Sequence, residues 1–176
     1  MQKIWIVGIV ASGKTTLARQ LSARTGIDWY ELDDVVHQRS EKGHKRTPEQ
    51  QLEIIRSIDR NGSWILEGTD RSSYSYLYDM ADTVLFFDPP LWKRRIRIVT
   101  RWIKQKTGQE TADYKPDLAM LKMMFCWTNE FERTRPDFEQ KLARYGDKVL
   151  RITDQKAVRR LLDKAESTGD SVERQK

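Results

Sequence analysis

Apolar positions along the chain fall into short unbroken runs separated by longer stretches of helical periodicity. Ile4-Trp5-Ile6-Val7, Trp64-Ile65-Leu66 and Val84-Leu85-Phe86-Phe87 are the clearest runs, closed by Gly8, Glu67 and Asp88-Pro89-Pro90. Runs of this length and character predict strands buried on both faces of a parallel sheet. Trp29 to Leu32 reads as another short strand, delivering Asp33 and Asp34 at its end, and Val149-Leu150-Arg151-Ile152 as the last. Helical spacing occupies the intervals. Lys14 to about Thr25 places Leu17, Ala18 and Leu21 on one stripe before Gly26, a residue suited to ending a helix. Thr47-Pro48-Glu49-Gln50 is a helix start with a capping box, followed by a stripe of Leu52, Ile55 and Ile58 and a stop at Asn61-Gly62.

The second half is more helical. Leu91 to about Lys106 repeats Trp92, Ile96, Val99 and Ile103 at helical spacing, with basic residues mostly on other faces. Thr107 to Pro116 is polar and reads as a loop. A further helix carries Leu118, Leu121, Phe125 and Phe131, is expected to break near Pro136, and resumes through Phe138 and Leu142 to Gly146. A last helix runs from 154 to about 166, before a polar tail expected to fray. Strands alternating with helices predict a five-stranded parallel sheet covered on both faces.

Composition narrows the class. The 176 residues are 38% hydrophobic and 33% charged, enough for one core and one domain, and no run is long enough to cross a bilayer. Met1-Gln2-Lys3 leads straight into a strand without the order of a signal peptide, so a cytoplasmic location is expected. Cys126 is the single cysteine and has no Cys or His set around it to bind zinc. The net charge of +6 fits an anionic ligand and also plain solubility. Its placement says more, because seven of the basic residues fall between Lys93 and Lys106.

The chemistry is concentrated in Gly8-Ile9-Val10-Ala11-Ser12-Gly13-Lys14-Thr15, which fits G-x-x-x-x-G-K-[ST] at every fixed position between a predicted strand and a predicted helix. Gly8 and Gly13 permit a tight turn in which backbone N–H groups of Ala11, Ser12, Gly13, Lys14, Thr15 and Thr16 face phosphates. Lys14 reaches the outer phosphates, and the Thr15 hydroxyl is a ligand for magnesium. The expected ligand is a nucleoside triphosphate with Mg2+. Asp88, ending an apolar strand, competes with Glu67 as the metal-side carboxylate, and Asp34 competes with Asp33. The tryptophans in predicted strands and helices read as core.

With these residues in view, the chain resembles the P-loop kinases of small molecules, the group that includes adenylate and shikimate kinases. Leu32-Asp33-Asp34, Ile65-Leu66-Glu67-Gly68-Thr69-Asp70-Arg71 and Arg97-Ile98-Val99-Thr100-Arg101 extend the likeness beyond the loop. The resemblance implies a three-layer P-loop NTPase fold, nucleoside/nucleotide kinase-like, with a helical lid inserted at about 104–135. It implies ATP and Mg2+ as cofactors, with Glu67 ordering metal-bound water and Arg71 gripping an anionic group. Glu67 to Arg71 departs from the D-G-[FYI]-P-R signature of nucleoside monophosphate kinases at all but Gly68 and Arg71. Asp33 resembles the carboxylate that orients or deprotonates the acceptor hydroxyl, Arg97 and Arg101 resemble an arginine pair at the base of the lid, with Arg94 on the same side, and Arg133 and Arg135 resemble arginines returning from it. The overall pattern, including Trp64 to Gly68 and Phe87-Asp88-Pro89, is similar to bacterial chains labelled DNA topology modulation proteins. A nucleotide-dependent DNA-binding protein is therefore the alternative to a kinase with a small acceptor. A signalling GTPase is disfavoured, since Thr128-Asn129-Glu130 does not supply an N-K-x-D motif.

Overall fold

The structure is a computed structural model and describes residues 2–38, 45–111 and 114–173, with backbone alone for 164 and 166–173. Five strands, β1 (Lys3–Val7), β2 (Trp29–Glu31), β3 (Trp64–Gly68), β4 (Thr83–Phe87) and β5 (Val149–Ile152), form one parallel sheet in the order β2-β3-β1-β4-β5. The helices are α1 (Lys14–Thr25), α2 (Leu32–Val36), α3 (Pro48–Arg60), α4 (Tyr76–Met80), α5 (Leu91–Lys106), α6 (Leu118–Ala143) and α7 (Gln155–Glu173).

Side chains alternate across each strand, so the sheet supplies two cores. Trp5, Val7, Leu66, Val84 and Phe86 pack on one face with residues of α2, α3, α4 and α6, among them Val35, Ile55, Tyr78, Phe138 and Leu142. Ile4, Ile6, Ile65, Leu85 and Ile152 pack on the other with Leu17, Ala18 and Leu21 of α1 and Val158, Leu161 and Leu162 of α7. This is a three-layer α/β sandwich. β1 lies at its centre, in register with β3 from Lys3↔Trp64 to Val7↔Gly68 and with β4 from Ile4↔Thr83 to Val7↔Phe86. The segment leaving β1 therefore emerges where the strand order reverses, the place at which parallel sheets bind ligands.

Several elements match the sequence pattern closely. α1 has the predicted limits, and Gly26 closes it with φ of 69°. The Thr47–Gln50 capping box is present in both directions. Four details differ. β2 stops at Glu31, and Leu32, Asp33 and Asp34 open the short helix α2, so the two aspartates stand in the first turn of a helix rather than at a strand end. α6 is continuous through Pro136. Proline removes one internal hydrogen bond there, but burial of Phe138 and Leu142 holds the following turns against the sheet. α7 runs on to Glu173 instead of ending near 166, and residues 174–176 of the predicted tail lie outside the described residues, as do 112–113 of the predicted loop.

The fourth difference is the largest. In α5 the apolar stripe faces away from the protein, with Trp92, Ile96, Val99 and Ile103 exposed at 60%, 56%, 38% and 49%. The buried positions are Arg94, Ile98 and Gln105. α5 and α6 form an antiparallel hairpin, tied by Arg94 to Glu132, Arg95 to Asn129 and the Trp102 indole to the Asp117 carbonyl. Arg94 also donates to the Pro89 carbonyl at 3.1 Å. Trp92 is thus a surface residue, whereas Trp5 and Trp64 are core as expected.

Candidate functional site

The loop after β1 is shaped by close backbone approach. A Cβ on Gly8 would stand 2.6 Å from the Phe87 carbonyl oxygen, so only glycine lets the chain leave the sheet here. Ala11 and Gly13 take positive φ, 57° and 107°, and turn the loop back over its own carbonyls. Gly13 begins α1 without a side-chain cap, and the first turn carries no acidic residue. The positive end of that helix and its free N–H groups are left for an external anion. Thr16 stands exposed in that turn.

Lys14 is buried beneath the loop and donates to the Ile9 carbonyl at 3.1 Å. Burial lowers its pKa. The negative charges of Glu67, Asp33 and Glu31 oppose that shift, and the positive charge of Arg101 adds to it. One ammonium group is therefore within electrostatic reach of residues from β2, α2, β3 and α5. Thr15 donates its hydroxyl to Glu67 Oε1 at 2.5 Å, placing two hard oxygen donors side by side at the C-terminal end of β3. Such a pair fits Mg2+, which keeps several waters and nucleotide oxygens and needs few protein ligands.

Asp33, in the first turn of α2, accepts from Arg71 Nη2 at 3.0 Å. Tyr74 lies close enough to feel both charges, and burial raises the pKa of its phenol, which donates to Gln51. Asp34 instead lines a separate cleft of about 470 Å3 with Arg19, Trp29, Glu31 and Arg46, among others. Arg97 donates to the Ser12 carbonyl and packs against Gly13, where a Cβ would meet its Nη1 at 3.2 Å. Arg101 is paired with Glu110 at 3.0 Å.

The remaining arginines are placed differently. Arg135 makes a two-pronged bond to Asp88, at 2.9 and 3.0 Å, and also engages Glu132 and Glu139. Arg151 bonds the same carboxylate. Burial raises the Asp88 pKa, but the two guanidinium groups outweigh it and hold the carboxyl below its ordinary range. Asp88 is thus neutralised by arginines, whereas Glu67 faces the loop. Arg133 pairs with Glu130 on the surface. Arg94 does not share the exposed side of Arg97 and Arg101; it is fully buried. Glu31, Tyr74 and Gln51 were not apparent from sequence. Glu31 has a traceable signal, since it ends β2 in register with Glu67.

Among the described residues no helix is long and apolar enough to span a membrane. No protein-family model matches the chain, and no curated protein matches it in sequence. Among solved structures it is similar to a shikimate kinase from Acinetobacter baumannii in complex with shikimate, with TM-score 0.58 and 14% identity over 93% of this chain and 90% of that one. A shikimate kinase from Bacteroides thetaiotaomicron gives TM-score 0.57 and 12% identity over 94% and 96%. An unliganded sugar kinase from a Janibacter species gives 0.50 and 17% over 96% and 91%. Likeness at these identities is a likeness of fold, and together with the five parallel strands in the order β2-β3-β1-β4-β5 it gives this chain the α/β fold of the P-loop kinases.

Proposed function

We propose that the chain is an ATP- and Mg2+-dependent kinase that transfers the γ-phosphoryl group to a hydroxyl of a small acceptor held between Asp33 and Arg71. The observation that carries this reading is the buried loop lysine Lys14, held on the Ile9 carbonyl beside the Thr15–Glu67 pair, with Asp33 and Arg101 close enough to act on its charge. A phosphate seat and an acceptor-side carboxylate thus share one charge.

The loop N–H groups hold the phosphates, and Lys14 exchanges the Ile9 carbonyl for outer phosphate oxygens. Thr15 and Glu67 would hold Mg2+, which would supply neutralisation of charge on the phosphate oxygens. Arg97, already seated on Ser12, orients the nucleotide. Asp33 takes the proton of the acceptor hydroxyl as its oxygen forms the new bond to phosphorus and the bond to the departing ADP breaks. Arg71 orients Asp33 and pairs with an anionic part of the acceptor. Residues at about 104–135 are assigned as the lid, with Arg101 at its base. Arg135 joins the acceptor side only by leaving Asp88.

The neighbours' acceptors favour a sugar-like or hydroxy-acid compound over a nucleoside monophosphate, in line with the departures from D-G-[FYI]-P-R. A cytoplasmic location belongs to the same reading. The DNA-linked alternative gains nothing from the comparisons. A thermal-shift screen of hydroxy acids, sugars, nucleosides and nucleotides with Mg2+ and a nonhydrolysable ATP analogue tests the proposal. An acceptor that stabilises only in the presence of the analogue is expected. Stabilisation by nucleotide but by no acceptor class, with ATP hydrolysis stimulated by duplex DNA, overturns it.

A further inference from the structure

The exposed residues of α5 have a spacing of their own. Trp92, Ile96, Val99 and Ile103 follow one another at intervals of four, three and four, which is the d-a-d-a seam of a coiled coil. β-Branched side chains fill both a positions and one d position. The seam runs about 16 Å along three turns of helix. Beside it a groove of about 300 Å3, lined by Arg95, Ile96, Val99, Thr100 and Phe125, opens between α5 and α6. A groove flanking a seam receives the side-chain knobs of another helix; a lipid surface has no use for it.

Charge selects the occupant. α5 contains seven basic residues and no acidic one. The positions flanking the seam are Lys93 and Thr100 on one side and Arg95 and Trp102 on the other, and Lys93 lies over the Trp92 ring at the stripe's edge. A second copy docking through the same face would add its own Lys93 and Arg95 to these, with no α5 carboxylate to relieve them. An acidic helix would pair with them on both sides of the seam.

We propose that the outer face of α5 is a docking site for an amphipathic helix of another protein, apolar at its a and d positions and rich in Glu or Asp at the flanking e and g positions. The surface stands apart from the loop and from Asp33, so the proposal holds whatever the acceptor of the kinase reaction is. Arg97 and Arg101 project from the same helix, which gives the partner a direct mechanical route to the nucleotide loop.

The test uses the full chain and labelled synthetic helices of three heptads, about 21 residues, with Leu and Ile at the seam. One carries Glu at e and g, its counterpart Lys. Fluorescence anisotropy is expected to show binding of the acidic peptide, at least about tenfold weaker binding of the basic one, and weakening with added salt. Ile96→Glu with Ile103→Glu, both at exposed positions, reduces acidic-peptide binding at least about tenfold at unchanged melting temperature. Lys93→Glu narrows the preference between the two peptides without touching the seam. Equal binding of the two peptides overturns the proposal, as does acidic binding indifferent to the seam substitutions. A dimer of the chain that those substitutions dissociate overturns it in favour of a second copy. Uptake by anionic phospholipid vesicles without binding to either peptide overturns it in favour of a membrane surface.

Discussion

The helix that follows β1 and the helix that follows β4 are built on opposite plans. α1 buries Leu17, Ala18 and Leu21 against the sheet and offers its N-terminus to a ligand. α5 has the stronger division between apolar and polar faces, yet it buries Arg94, Ile98 and Gln105 and exposes its apolar stripe. Apolar burial orients α1. Specific bonds orient α5: Arg94 is held by the Pro89 carbonyl and Glu132, and the hairpin with α6 completes the inner side. Periodicity identifies a helix with two faces, but it does not say which face points inward when a charged residue has partners waiting for it.

Breaking α5's anchor gives the largest expected effect. Arg94→Leu removes the buried guanidinium that bonds the Pro89 carbonyl and Glu132, leaving Glu132 to Arg135 alone, and costs about 3 kcal/mol in urea unfolding. Lys14→Ala, in the first turn of α1, lowers kcat of the proposed phosphoryl transfer by about 10²–10³-fold while circular dichroism stays unchanged. The Asp88 network that fastens α6 and β5 to the end of β4 gives an intermediate effect. The folded-state pKa of Asp88 is depressed, so its contribution is present above the unfolded value of about 3.9 and is lost as pH falls through the lower folded value. Asp88→Asn therefore costs about 2 kcal/mol at neutral pH and flattens the acid limb of the stability profile below about pH 4. Ile96→Ser gives the smallest effect, within about 0.5 kcal/mol, because the side chain is already in water. A cost of several kcal/mol at Ile96 together with tolerance at Arg94 would reverse the assignment of faces.

Much of the sheet was legible from sequence because parallel strands buried on both faces leave unbroken apolar runs, and the loop was legible because every fixed position has a steric or electrostatic reason. Glu67 at the end of β3 and Asp33 just beyond β2 were legible by position, whereas Glu31 was not. What escaped depended on contacts distant in sequence. Nothing local at Arg94 or Arg135 records that Glu132 and Asp88 await them, nor that the next turns of α6 continue past Pro136. The turn at Leu32 also escaped, because a short apolar segment followed by two aspartates suits a strand end and a helix start equally.

The most direct measurement follows the γ-phosphate of labelled ATP in the presence of an acceptor found by thermal shift, with the chain and with Asp33→Asn. An acceptor phosphate ester made by the unaltered chain is expected, and a rate about 10²–10⁴-fold lower in the variant, with nucleotide affinity unchanged. Release of the label only to water, or transfer by Asp33→Asn at the unaltered rate, would contradict this.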